Sequence, residues 1–305
     1  MKKLLFCLSL IFILQSVSAD VIYLNEGEEH VGTLKSIKDE EISFEKLNST
    51  DIATFSTKDV THILISKNRE GDEINSVASI TEPIAKQILQ NLPNLEQFKD
   101  SDYITLYRHN NVEFISENEV VYKSREIVQI LKEPGLENGN KSFYYNHENS
   151  DFLINFAHTY SPTGAVYHLT DDALSNETLF NTTPEYAKFS KVKFAMKKVD
   201  IGSIIDCSIT QKHKDISFLN PFSLDAIFGE REPVLHEEFT VSFPNSVKLK
   251  KIEMQWENNV PKFTEKTENN KTVWNWLFSD SEGFVSEQNM LPLSRIFPRV
   301  FIYQE

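Results

Sequence analysis

The sequence predicts a mainly β protein, an antiparallel β-sandwich preceded by a small five-stranded barrel and one connecting helix. Three observations carry this. Short runs rich in β-branched and aromatic residues recur along the chain, separated by polar turn residues, which is the pattern of half-buried antiparallel strands. Only one segment has the start and stop signals of a clear helix. The strand–helix–strand rhythm that a parallel sheet needs is absent.

Residues 1–19, MKKLLFCLSLIFILQSVSA, combine two lysines, an apolar run from Leu4 to Leu14 and small residues at Val17-Ser18-Ala19. This is the form of a secretory signal cut after Ala19. The apolar run is too short for a stable bilayer span, which needs about 20 residues. The expected product is exported, periplasmic or extracellular, and has no stable membrane span. Cys7 leaves with the signal, so Cys207 is the one cysteine expected to remain and an internal disulfide is excluded.

Residues 20–66 contain five strand-like runs: Val21 to Leu24, Val31 to Ile37, Glu41 to Leu47, Ile52 to Phe55 and His62 to Ile65. Asn25-Glu26-Gly27 and Lys38-Asp39-Glu40 supply turns. Closure into a small barrel would remove exposed edges, and "VIYLNEGEEHVGTLKSI" resembles the opening of Sm-like or SH3-like barrels. The charged, turn-rich SKNREGD leads into a linker at 67–79. From 80 to 305 the chain reads as helix plus sandwich. Thr81 suits a helix cap, Pro83 the first turn, Ile84, Ile88 and Leu92 one face, and Pro93 the stop. In the strands that follow, Phe152, Ile154, Phe156 and Tyr160 are expected on one face, with Asn155 and Thr159 on the other. Val192, Phe194 and Met196 alternate, as do Leu235, Phe239, Val241 and Phe243, and so do Trp274, Trp276 and Phe278. A change of apolar parity between Leu249 and Ile252 predicts a bulge near Lys250-Lys251.

The helix and its Pro93-Asn94 exit are followed by "YITLYRHNNVEFISENEVVYKSREIVQILKEPGLEN", "INFAHTYSPTGAVYHL", "KFAMKKVDIGSIIDCSIT", "REPVLHEEFTVSFPNSVKL", "TVWNWLF" and "MLPLSRIFPRVFI". In this serial order the phrases resemble the exported domain of unknown function that precedes transglutaminase-like cysteine domains in bacterial envelope proteins, over about residues 80–303. Where that family shows Pro-Asp-Gly, this chain has Pro162-Thr163-Gly164, which still permits a tight turn through Gly164. The resemblance implies a β-sandwich module without chemistry of its own, and it places any catalytic domain after Glu305.

The residues themselves single out no catalytic, cofactor-binding or metal-binding set. A cysteine nucleophile needs a histidine in reach and an orienting carboxylate or amide, commonly at a helix start. Cys207 instead alternates with Ile205 and Ile209 in "GSIIDCSIT", so it is expected in the core, with Asp206 and Ser208 outward. The eight histidines, His30, His62, His109, His147, His158, His168, His213 and His236, form no His-x-His or His-x-x-x-His pair. His158 falls on the apolar face of its strand, as a core histidine would. Asp171-Asp172, Asp100-Ser101-Asp102 and Asp280-Ser281-Glu282-Gly283 lack the calcium-loop pattern. Nine glycines include no phosphate-binding loop and no Gly-x-Ser-x-Gly elbow.

Loss of Lys2 and Lys3 with the signal leaves 29 basic against 45 acidic residues, near −16, which argues against nucleic acid as a partner. Trp256, Trp274, Trp276 and Tyr144-Tyr145 are candidates for a sugar-stacking platform, although paired indoles on one strand more often fill a core. Asn48, Asn176, Asn181 and Asn270 open Asn-x-Ser/Thr triplets. The expected function is a non-catalytic exported binding or scaffolding module without cofactors, presenting a sandwich surface to a protein, peptide or polysaccharide of the envelope. The alternatives are the accessory part of a transglutaminase-like cysteine peptidase or cross-linking enzyme, and a structural envelope subunit.

Overall fold

The computed structural model describes residues 20–25, 29–38, 40–46, 52–64, 82–179, 188–217, 221–255, 259–284 and 290–305. The expected signal, the linker at 67–79, Thr81, Trp256, Asn48 and Asn181 lie outside these residues. The protein is mostly strand, arranged in one 13-stranded sheet and two three-stranded sheets.

The five strands expected at the start are present: β1 (Asp20–Leu24), β2 (Glu29–Lys38), β3 (Glu41–Lys46), β4 (Ile52–Ser56) and β5 (Val60–Leu64). They pair antiparallel in the order β5-β1-β2-β3-β4 around Ile22, Ile42, Phe44, Val60 and Ile63. A Cβ on Gly32 would collide with the Glu45 carbonyl oxygen, so this crossing of β2 and β3 needs glycine. The helix α1 (Pro83–Gln90) follows. Its cap is Glu82, whose carboxylate accepts the Ala85 N–H at 2.6 Å.

The remaining strands are β6 (Tyr103–Ser116), β7 (Glu119–Ile130), β8 (Asn140–Asn146), β9 (Ser150–Tyr160), β10 (Val166–His168), β11 (Leu174–Thr178), β12 (Phe189–Ala195), β13 (Ile204–His213), β14 (Ser223–Ile227), β15 (Val234–Pro244), β16 (Leu249–Met254), β17 (Lys262–Glu268), β18 (Lys271–Ser281) and β19 (Arg299–Gln304). The large sheet runs β17-β18-β15-β6-β7-β13-β9-β5-β1-β2-β3-β4, with β10 beside β9. Pairing is antiparallel except for β15 with β6 and the single bridge of β5 to β9 at Leu64 and Ile154. That bridge joins the first five strands to the rest.

Both small sheets pack on one face of the large sheet. The β11-β12-β8 sheet covers Ile154, Ile205, Cys207 and Ile209 with Tyr145, Val192, Phe194 and Phe143. The β14-β19-β16 sheet covers Phe239, Val241, Trp274, Trp276 and Phe278 with Val300 and Ile302. On the opposite face α1 lays Ala85, Ile84 and Ile88 over Ile104, Ile127, Tyr160 and Ile204. The sandwich therefore has one broad layer and a second layer split in two.

Four sequence expectations are corrected. The β9 face is not continuous: an extra residue at Asn155 shifts the register against β13. Phe152 and Ile154 therefore pack beneath the β8 sheet, whereas Tyr160 joins the α1 layer and Phe156 lies under the Arg125 guanidinium, 5.1 Å away. Leu235 likewise packs with the α1 layer rather than with Phe239. Asp206 does not face outward to water but is 1 % exposed, because α1 and its neighbours bury the second face of β13. No bulge interrupts β16, whose ladder with β19 is unbroken from Leu249 to Met254. Ile252 is simply exposed, and the inward positions are Leu249, Lys251, whose ammonium lies 3.9 Å from the Phe263 ring centroid, and Glu253, which accepts the Trp276 indole N–H at 3.4 Å.

Candidate functional site

The split second layer leaves a trough across the inner face of the large sheet. Alternate residues of three neighbouring strands make its floor: Arg108, Asn110 and Val112 from β6, Tyr122, Ser124 and Glu126 from β7, and Cys207 to His213 from β13. One end is a charged hollow of about 440 Å³ walled by Lys141, Ser142 and Phe143 of β8. In the middle, Tyr122 and Ser124 hydroxyls both donate to Asn110 Oδ1, at 2.7 and 2.8 Å. At the other end two hollows of about 330 and 820 Å³ meet at Asn149, Gln211 and His213.

The charged end is a knot around Arg108. Its guanidinium reaches Glu126 at 2.9 Å, Glu230 at 2.8 Å and Glu237 at 3.4 Å. Lys141 pairs with the second oxygen of Glu126 at 2.9 Å. Burial alone would push the Glu126 carboxyl up, but Lys141 and Arg108 outweigh it and hold the carboxyl at about 2. Glu237 is more deeply buried; burial raises its pKa against the pull of Arg108, and the Gly229 N–H donates to it at 2.7 Å. Thr105 and Tyr103 hydroxyls donate to Glu230 at 2.5 and 3.3 Å. Among the described residues the knot's charges are paired with one another, and they tie β6, β7, β8 and β15 together.

Cys207 faces this trough's floor at 5 % exposure, and burial pushes its thiol up to about 12. That is the opposite of an activated thiolate. On the other face, Arg125 bonds Asp206 at 2.8 Å and Glu82 at 2.7 Å, tying the start of α1 to the sheet.

Histidines that the sequence could not pair do meet in space. The His158 and His168 rings lie 4.5 Å apart across β9 and β10, and His236 stacks on Tyr107 at 5.2 Å, with His109 on the ring's edge at 6.4 Å. Among the described residues, no group of three or more His, Cys, Asp or Glu side chains is placed to hold a metal ion. Ser150 Oγ lies 2.9 Å from His213 Nδ1, and Ser190 Oγ lies 2.9 Å from His147 Nδ1. The first is a cross-strand pair of β9 and β13, and the second joins β12 to the turn after β8. Ser150 is 3 % exposed, and among the described residues no carboxylate orients His213, so the pair lacks the third member of a nucleophile–base relay. Burial pushes the His213 imidazole down, toward its neutral form.

Trp274 and Trp276 are core, as alternation indicates, and Tyr145 is buried in the other core, beside Phe152. Tyr144 and Phe189 point the other way, 58 % and 36 % exposed, beside the 820 Å³ hollow. Phe189 is not singled out by the sequence, because its neighbours across the β8–β12 ladder are more than forty residues away.

The profile of DUF3857, a domain of unknown function with a solved structure, matches residues 116–284, more than half of the chain. The chain belongs to this family. The DUF3857 span contains the β7 and β13 parts of the trough floor and leaves out Arg108, Asn110 and Val112 of β6. Among solved structures, a candidate protease from Parabacteroides distasonis ATCC 8503 shares the fold with a TM-score of 0.60 at 13 % identity, over 67 % of this chain and 40 % of that one. A candidate nutrient-binding protein from Legionella pneumophila (TM-score 0.33, 8 % identity, 68 % of each chain) and an M1 zinc metallopeptidase from Deinococcus radiodurans (TM-score 0.32, 7 % identity, 68 % of this chain and 43 % of that one) are too distant to carry an argument. This DUF3857 chain thus spans less than half the length of the protease it matches. No curated protein matches it at all. No helix among the described residues is long and apolar enough to cross a membrane.

Proposed function

We propose that this chain is an exported, non-catalytic binding module that presents a rigid sandwich surface to a partner in the cell envelope. One contrast supports the reading. The ionisable groups in the trough that chemistry would need are locked into internal pairs or buried, whereas the hollow beside Tyr144 and Phe189 is open and edged with side chains held on a fixed ladder. Export rests on the signal-like residues 1–19, and the acidic surface suits a soluble envelope protein. The test incubates the mature chain with insoluble envelope material and with protein substrates. Saturable co-sedimentation without release of fragments or formation of isopeptide cross-links is the expected result. Cleavage or cross-linking that disappears in Cys207→Ser would contradict it.

A second reading is favoured by the shared fold with the candidate protease, in which the matched part is 40 % of that chain. On this reading the module positions substrate for a transglutaminase-like cysteine domain encoded after Glu305. A reading frame that continues into a cysteine at a helix start, then a histidine and an aspartate, would support it; an immediate stop codon would remove it.

A further inference from the structure

Tyr144 and Phe189 are diagonal neighbours on the outer face of the β8–β12 ladder, since Tyr144 lies opposite Lys191 and Phe189 opposite Asn146. Exposed aromatic rings standing together on a rigid ladder lose little freedom when a ligand stacks on them. The adjoining hollow brings up a set of planar polar groups: the carboxamides of Asn146, Asn149 and Gln211 and the carboxylates of Glu148 and Asp215. Asn146 Oδ1 accepts the Glu148 N–H at 3.1 Å and Asn149 Oδ1 accepts from Ser150 at 3.2 Å, which leaves the amide nitrogens as the available donors. Among the described residues, those two Nδ2 groups, the Gln211 carboxamide and both carboxylates have no hydrogen-bond partner. Lys188 and Lys191 lie over the Phe189 and Tyr144 rings, 6.0 and 4.8 Å from the centroids, so a stacking ligand displaces these side chains or takes the opposite ring faces; their two charges equal those of the two carboxylates.

We infer that this hollow is a binding site for an uncharged oligosaccharide, with Tyr144 and Phe189 as the stacking platform. The inference rests on the binding-module reading and names its ligand class. A pyranose ring presents a C–H face that packs on an aromatic ring and vicinal hydroxyls that match the two-atom forks of carboxamides and carboxylates. A polyanion meets two carboxylates and a strongly acidic protein, so the balanced lysines point to a neutral chain. A volume of about 820 Å³ lies in the range of ligand sites and leaves room for more than one sugar ring.

The experiment titrates the mature chain with tetramers of N-acetylglucosamine and of glucose (β1,4-linked), by calorimetry and by amide chemical shifts. One tetramer is expected to bind saturably, with shifts at 144–150, 188–191 and 211–215. Tyr144→Ala and Phe189→Ala should each weaken binding tenfold or more while keeping the wild-type unfolding midpoint, and Thr264→Ala, on the far edge strand, should bind as wild type. Binding that survives both aromatic substitutions overturns the site. No binding of either tetramer by a chain that still co-sediments with envelope protein overturns the ligand class and leaves the module reading standing. Shortening of the tetramer during the titration overturns the non-catalytic reading itself.

Discussion

Removing the Arg108 guanidinium, as Arg108→Met, probes what holds the two halves of the second layer against the large sheet. The structure apportions the damage. Glu126 keeps Lys141 at 2.9 Å, and Glu230 keeps the hydroxyls of Thr105 and Tyr103. Glu237, with a side chain 4 % exposed, keeps only the Gly229 N–H at 2.7 Å. Breaking a buried ion pair from one side costs about 3 to 5 kcal/mol, because the surviving charge is left without compensation. Most of that cost should therefore sit at Glu237. The variant's deficit in urea unfolding, followed by the fluorescence of the three tryptophans, should be about 3 to 5 kcal/mol at pH 7.5. Adding Glu237→Gln removes the stranded charge, and the double-mutant cycle should return a coupling of roughly 2 kcal/mol. The pH dependence has a defined sign. Burial already raises the Glu237 pKa, and loss of Arg108 raises it further, so the folded variant binds a proton more readily than the unfolded chain. Its deficit should shrink as pH falls from 7.5 toward 5. A deficit under about 1 kcal/mol, or one that does not change with pH, would refute the reasoning.

Three further outcomes follow from the same structure. Glu126 is held at about 2 against an ordinary value of 4.5, so it contributes roughly 3 kcal/mol that is fully present above pH 4.5 and lost as pH falls toward 2; acid titration of Lys141→Met should move that loss to higher pH. Cys207 should react with a thiol reagent many times more slowly in native than in denatured protein, and equal rates would show that its strand is not where the ladder puts it. Trp276→Ala should cost about 3 to 5 kcal/mol by calorimetry, since the indole is 0 % exposed and packs on Phe239, Phe263 and Trp274 at 5.5, 5.0 and 6.1 Å; a cost near zero would remove it from the core.

Much of the fold is legible where one face of a strand is buried and the other wet. Val192, Phe194 and Met196, or Trp274, Trp276 and Phe278, declare their faces by alternation alone. The five opening strands and the start of α1 are equally plain, because turn residues and Pro83 mark them. Glu82, not the expected Thr81, is the cap, and Leu92, expected on the helix face, lies beyond the helix end at Gln90 and is exposed. What alternation cannot show is β13, where Ile204, Ile205, Asp206 and Cys207 are all buried because both faces are covered. Bulges at Asn155 of β9 and between Thr105 and Tyr107 of β6 reverse the faces without changing the apolar pattern. Arg108, Glu126 and Glu237 read as surface residues until the ladder brings them together. The parallel pairing of β6 with β15 joins residues more than a hundred positions apart and has no local signature. The candidate site is hidden for the same reason: Tyr144 is visible as an aromatic, but its partner Phe189 and the polar groups around them converge only through the β8–β12 ladder and the hairpin to β9.

A partner's footprint on the chain tests the proposed binding surface most directly. Hydrogen exchange of the mature protein, with and without saturating insoluble envelope glycan, reads this in one measurement. Slowed exchange confined to the end of β8, the hairpin at 146–150, the start of β12 and the end of β13 is the predicted result. Protection confined to other surfaces, such as the α1 face or the β17 edge, or no protection at all, would contradict it.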